Sequence, residues 1–251
     1  MNCKIQRIDD EKTKLFLKKE LKLLTYTVLK VDIDIHNHYH FSFDLWLTLI
    51  KSHPEFKAKR VGLFASFFDI DKPVDEVAKV VKYYDDLCNT INEVAGGNID
   101  TFEIYLLILG SLNVDVKQLD KEKLNQFYAK TETLFLEYKP IIIFENIHQF
   151  FDEIKNQGKT INILSNTGFI KGKTMKKFLI EENLDQYIDF HIYSDEINCS
   201  KPNPLVFQEV RNNIENQDLL MHQILHVGDN PIADYKGAKD FGFSAHLLKY
   251  Q

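Results

Sequence analysis

Apolar positions change their spacing twice along this chain. From His38 to Leu45 the run is short and rich in strand-forming side chains, with Phe41 and Phe43 as its large members. It predicts a buried strand that delivers Asp44 at its C-terminal end. From Pro54 to Tyr138 the spacing is helical. Val77, Val80, Val81, Tyr84, Leu87 and Ile91 share one face, and Leu124, Phe127, Tyr128, Leu134, Phe135 and Tyr138 share another. Stripes of this kind have to bury against each other, so the stretch is expected to form a helical bundle. Gly96-Gly97-Asn98 and the segment Asn113 to Gln118 should interrupt it.

After Pro140 strand and helix patterns alternate. Helices are predicted near Ile147 to Asn156, Lys171 to Ile180, Pro204 to Asn213 and Ile232 to Phe241. Strands are predicted at Thr160 to Leu164, Phe190 to Tyr193, Gln223 to Val227 and Ser244 to Leu248. Such alternation implies an α/β fold, with a Rossmann-like parallel sheet core covered by helices on both faces and an inserted α-helical cap domain. The division that follows is an N-terminal arm at 1–37, a core made of 38–50 and 140–251, and a helical cap at 51–139. In the arm, Asp10 to Leu24 has helix-forming composition and Thr25 to Ile35 alternates like a strand, and neither continues the later pattern.

Composition narrows the function. Of 251 residues, 44% are hydrophobic and 27% charged, with 19 Phe, which is the make-up of a folded protein with a sizeable core. A net charge of −6 with dispersed Lys and Arg argues against a nucleic-acid partner and favours a small-molecule substrate. Cys3, Cys88 and Cys199 are too far apart in sequence to form a close zinc-binding pair, and an odd count does not suit a disulfide framework. No run is apolar for long enough to span a membrane, and the N-terminal residues lack a secretory pattern, so a cytoplasmic location is expected. The letters Asn198-Cys199-Ser200 match a glycosylation sequon, which carries no meaning there.

Chemistry-bearing residues fall where predicted strands end, the usual ligand edge of an open α/β sheet. Asp44-Leu45-Trp46-Leu47-Thr48 places a carboxylate where it can attack phosphorus and form an aspartyl-phosphate. Ser165-Asn166-Thr167 offers a hydroxyl and backbone amides for a phosphoryl oxygen, and Ser200-Lys201-Pro202 an ammonium to offset charge on nucleophile and phosphate. Gly228-Asp229-Asn230-Pro231-Ile232-Ala233-Asp234 brings two carboxylates; magnesium favours oxygen ligands of this type.

Taken in order, with a helical insert after the first, these four segments resemble the motifs of the haloacid dehalogenase-like hydrolase superfamily, over about residues 38–251. The resemblance implies Asp44 as nucleophile, Ser165 as the hydroxyl that binds the transferring group, and Lys201 as the motif-three lysine. It implies a Mg2+ site formed by Asp44, the Trp46 carbonyl and Asp229, with Asp234 as supporting acid. Thr48, which steadies the nucleophile loop, joins Ser165, Asn166 and Lys201 as the expected substrate-binding set, and the expected substrate is a small phosphorylated metabolite.

One position departs from the family's phosphatases. Their second Asp, two residues past the nucleophile, is Trp46 here, and an indole offers a single N–H donor and no proton relay near neutral pH. General acid–base assistance contributes roughly 10²–10⁴-fold, so the substitution bears directly on activity. Two alternatives stay open. The 2-haloacid dehalogenases also place an aromatic residue there and work without metal, but they lack the Gly-Asp that Gly228-Asp229 retains. A non-catalytic module that binds a phosphorylated ligand or a protein is the other.

Further residues have bland explanations. His36, His38 and His40 alternate along a strand-like segment without a matching ligand cluster and are expected to be structural. Lys12 to Lys22, diluted by Asp9, Asp10, Glu11 and Glu20, fits a solvated helix face. Phe64, Phe67 and Phe68 are expected in the cap's core rather than in a substrate pocket.

Overall fold

The computed structural model describes residues 33–248; the helical segment Asp10 to Leu24, the alternating segment up to residue 32, and Cys3 lie outside that range. Strand β1 (His40–Phe43) is buried along its whole length because it is the middle of five parallel strands. Its neighbours are β4 (Thr160–Ser165) on one side and β6 (Ile224–Gly228) on the other. Strands β5 (Phe190–Tyr193) and β7 (Ser244–Leu247) close the edges, in the order β5-β4-β1-β6-β7.

Side chains of β1 alternate with the period of a pleated strand. Phe41 and Phe43 enter an aromatic cluster in which Phe43 lies 5.2 Å from the ring of Phe151, on helix α5 (Ile147–Asn156). His40 and Ser42 alternate with them along the strand; His40 is stacked on Phe190 at 5.5 Å. Ile33 and Ile35, which the sequence division assigns to the arm, are buried in the same core cluster as Phe41.

Register decides where the strands end. Phe43 pairs with Ile163 of β4 and with Val227 of β6, so Asp44, Ser165 and Gly228 emerge together at one edge of the sheet. The third predicted segment, Ser200-Lys201-Pro202, follows the one-turn helix α7 (Ser194–Ile197) beyond β5, a turn the apolar pattern did not signal.

Residues between the first two core strands form a second packed unit. Two short antiparallel strands, β2 (Ile50–Lys51) and β3 (Ile141–Ile142), form its stem, pairing Ile50 with Ile142. Periodicity alone does not reveal two-residue strands, and none was expected at these positions. Beyond the stem lie α1 (Phe56–Phe67), α2 (Val74–Ala95), α3 (Thr101–Ser111) and α4 (Lys121–Glu137). They bury their own cluster, with Phe64 and Tyr105 at 4.5 and 4.9 Å from the ring of Phe127. Phe64 and Phe68 are buried there and Phe67 packs against it, so these rings are core. Phe169, from the loop after β4, inserts into the same cluster and ties the bundle to the sheet.

The predicted glycine break is a docking point as well as a helix end. Gly96 stops α2 in a left-handed conformation, φ 68°, where a Cβ would also meet Asn203 at 3.0 Å. Its carbonyl accepts from Ser200 N, Asn203 Nδ2 and Cys199 Sγ. Helix α3 then starts from Asp100 in a reciprocal capping box with Glu103. After α6 (Gly172–Glu181) and α8 (Pro204–Asn213), the predicted last helix is divided. A π-helical turn, Pro231–Lys236, leads into α9 (Gly237–Phe241). Among the described residues no helix is long and apolar enough to cross a membrane.

Candidate active site

The four sequence segments meet in one cleft of about 380 Å³, a volume in the usual range of small-ligand sites. At its floor lies Lys201, whose ammonium donates to Asp44 Oδ1 at 2.7 Å, to the Leu164 carbonyl at 2.8 Å, and pairs with Asp234 Oδ1 at 2.7 Å. Three donors find three acceptors, so a lysine at 1% exposure is fully satisfied. Thr48 Oγ1 donates to the other Asp44 oxygen at 2.9 Å and lies 3.5 Å from Asp229 Oδ1.

Asp234 is held from several sides. Oδ1 also accepts from His226 Nε2 at 3.1 Å, and Oδ2 accepts from the backbone N–H of Asn230 at 2.9 Å. His226 is itself buried, its Nδ1 3.0 Å from the Ser42 hydroxyl of β1. The π-helical turn gives the chain this inward reach. Asn230 caps it, its Oδ1 accepting from the N–H groups of Ile232 and Ala233, and its carbonyl taking Tyr235 N five residues on. Gly228 is required beneath it, since a Cβ there would lie 2.2 Å from Asp234 Cγ.

Oxygen atoms of Asp44, Asp229 and Asp234 all lie within 4.8 Å of one another. Burial raises Asp44 to about 7, with Lys201 opposing and Asp234 adding to the rise. Burial likewise raises Asp229 to about 6, with Asp234 reinforcing it. Asp234 goes the other way: against its burial, Lys201 and then His226 hold it well below the ordinary carboxylate range. One lysine facing three acids leaves an excess of negative charge, a donor set that suits a divalent cation. No histidine of His36, His38 and His40 belongs to this group or to another metal-sized cluster among the described residues.

Ser165 Oγ is buried at the end of β4, where it donates to the Asn166 carbonyl at 3.2 Å. Asn166 lines the cleft, and its amide is engaged at both ends by the Lys201 backbone, Nδ2 to the carbonyl at 3.0 Å and Oδ1 from the N–H at 2.8 Å. It clamps the lysine loop. Trp46 is among the residues lining the cleft; it is half-buried, and its ring packs 6.3 Å from Phe135 in edge contact.

Sequence reading did not single out His226, Ser42, Asn230 or the cap residues that face the cleft. Thr167 was quoted only for its backbone; its hydroxyl donates to Asp195 Oδ1 at 2.8 Å, and its N–H reaches Ser194 Oγ at 2.8 Å. Ser194 Oγ in turn donates to Asn98 Oδ1 of the cap at 2.7 Å. Ser42 and His226, polar positions on strands buried along their length, were the signal available for the first two of these.

Among proteins of known description, the chain is 29% identical over 149 residues to the Rhythmically expressed gene 2 protein of Drosophila melanogaster, covering 57% of this chain. It spans about half, 55%, of that protein's length. It is 25% identical over 205 residues to a glyceraldehyde 3-phosphate phosphatase of Methanothermobacter thermautotrophicus, covering 74% of this chain and 85% of that one.

Solved structures agree on the fold. The HAD-hydrolase YfnB of Bacillus subtilis bound to magnesium superposes with a TM-score of 0.62 at 17% identity, over 84% of this chain and 89% of that one. The L-2-haloacid dehalogenase of Xanthobacter autotrophicus does so with 0.53 at 19%, over 84% and 77%. A sequence profile described as haloacid dehalogenase-like hydrolase matches residues 68–247, more than half of the chain though not the Asp44 segment. With the parallel sheet and its helical insert, that match shows that the chain belongs to the haloacid dehalogenase-like hydrolase family.

Proposed function

We propose that the protein is a magnesium-dependent phosphatase of small phosphorylated metabolites that works through an aspartyl-phosphate on Asp44. The observation that carries this reading is the convergence of Asp44, Asp229 and Asp234 within 4.8 Å around a single lysine. A metal-free dehalogenase site has no use for that much unneutralised carboxylate, and Gly228, which makes room for Asp234, is retained. The similarity to a glyceraldehyde 3-phosphate phosphatase points to the same substrate class.

Magnesium would be held by Asp44, the Trp46 carbonyl and Asp229, with Asp234 in support, and would supply positive charge to the phosphoryl oxygens. The protein's own residues do the rest. An oxygen of Asp44 bonds to phosphorus as the bond to the leaving oxygen breaks. Lys201 and Thr48 hold the carboxylate by their bonds at 2.7 and 2.9 Å. Ser165 and the amides beside it receive the phosphoryl group, and water then cleaves the aspartyl-phosphate, releasing phosphate and restoring Asp44.

Trp46 leaves the departing oxygen without its usual proton source. Acyl and aryl phosphates, which need little protonation, are therefore expected to turn over faster than alkyl phosphates. Equal rates on phenyl phosphate and glycerol 3-phosphate would contradict this.

The test is phosphate release from phenyl phosphate and acetyl phosphate. Release in magnesium that stops with chelator and with Asp44→Asn is the expected outcome. Chloride release from 2-chloropropionate that survives chelation would establish a dehalogenase instead, and neither product would leave a binding module.

A further inference from the structure

Arg60 is a buried cation on the cap side of the cleft, contributed by α1 and only 5% exposed. A guanidinium removed from water normally has its five N–H donors paired with acceptors. This one makes a single hydrogen bond among the described residues, from Nη2 to Asp85 Oδ2 at 3.5 Å, the outer limit for such a contact. Its Nε is buried with no partner among those residues. Charge-assisted pairs normally close to roughly 2.7–2.9 Å, so the bond to Asp85 is loose.

The surroundings restrict what can complete it. The guanidinium carbon lies 3.8 Å over the ring of Phe169 and 5.6 Å from Phe56, so at least one face is closed by an aromatic ring. Donors remain along the edge, in the plane of the group, where a flat acceptor with two oxygens fits. Phe169 follows Ser165-Asn166-Thr167-Gly168, so the ring beneath Arg60 belongs to the same loop that presents the expected phosphoryl-binding hydroxyl. A ligand with its phosphoryl group at Asp44 and a second group at Arg60 would lie along that loop.

We infer that Arg60 is a recognition residue for a carboxylate on the substrate, which makes the substrate class phosphorylated carboxylic acids. This rests on the phosphatase reading for the phosphoryl end alone. The requirement for a good leaving group carries over, so carboxylated aryl or enol phosphates are the best members of the class.

The probes are 4-carboxyphenyl phosphate and its uncharged isostere 4-carbamoylphenyl phosphate. Calorimetric dissociation constants are measured with Asp44→Asn protein in magnesium, and kcat/KM with the native enzyme. The carboxylate is expected to bind about tenfold tighter or better, as suits a bidentate, charge-assisted contact. Arg60→Lys keeps the charge and loses the fork, and should cut the preference severalfold. No preference in protein with Arg60 intact, or a preference undiminished by Arg60→Lys, overturns the assignment.

If Arg60→Lys lowers the melting temperature enough to unfold the cap, Asp85→Asn decides the matter. It leaves the guanidinium in place and removes its present acceptor. The preference should widen severalfold, and no widening overturns the proposal. Native enzyme that releases phosphate from neither ester would refute the phosphatase reading, while the calorimetric comparison would still decide the role of Arg60.

Discussion

At the start of β1, His40 is buried between Thr160 and Asn162, its ring nitrogens 2.7 and 2.8 Å from their side-chain oxygens. Just past the end of the same strand, Asp44 is buried between Lys201 and Thr48 at 2.7 and 2.9 Å. The two sites have similar burial and similar bond lengths, and they differ in charge. The His40 ring is driven down to about 4 by burial, so it is neutral near pH 7 and closes its hydrogen bonds without surplus charge. At the Asp44 end three acids face one lysine, and burial raises two of them. One end of the strand carries no charge for a ligand to balance, and the other is left short of positive charge. A neutral buried network belongs to the core, whereas unbalanced buried charge marks a place where something else binds.

The largest effect expected from breaking this contrast is at the charged end. Lys201→Met removes the cation that joins Asp44 to Asp234 and should lower kcat by about 10²–10³-fold, as losing a preorganised charge does. Steady-state phosphate release checks it, and a change under tenfold would show that Lys201 is dispensable. The neutral end should respond to pH and hardly to catalysis. The unfolded chain binds a proton near 6.5 that folded His40 refuses until about 4, so stability is full above 6.5 and falls as pH drops toward 4. The loss amounts to about 3 kcal/mol from this group at most. Denaturant midpoints at pH 7 and 4.5 should show a smaller drop in His40→Gln than in the native protein, and identical drops would refute the assignment.

Gly228→Ala sharpens the comparison from underneath. It alters no charge, yet its methyl group would displace Asp234, and a loss of about 1–3 kcal/mol is expected by overpacking. Thermal melting gives the stability loss, and a fall in kcat beyond it would show that the position of Asp234, not only its presence, serves the site.

Much of this architecture was open to reading from spacing alone. Alternating patterns after Pro140 announced a parallel sheet because strands buried on both faces and amphipathic helices have different periods. The helical insert was legible from the stripes of α2 and α4. The stem strands β2 and β3 were not, since two residues carry no period. The π-helical turn was read as ordinary helix because its widening answers to Asn230 and Asp234, side chains that act across the fold. Of the site, the residues at strand ends were nameable from their chemistry. His226 and Arg60 were not, because each owes its significance to burial.

What the sequence determined by itself was the order of elements and the kind of chemistry each strand end could offer, since periodicity and residue type are local properties. Only the tertiary structure decided which charges met. Parallel register aligned Phe43 with Ile163 and Val227, and that alignment set Asp44, Ser165 and Gly228 at a common edge. It also decided that, among the described residues, Lys201 would find three acceptors and Arg60 one, because pairing and solvent exclusion depend on distances between residues remote in the chain.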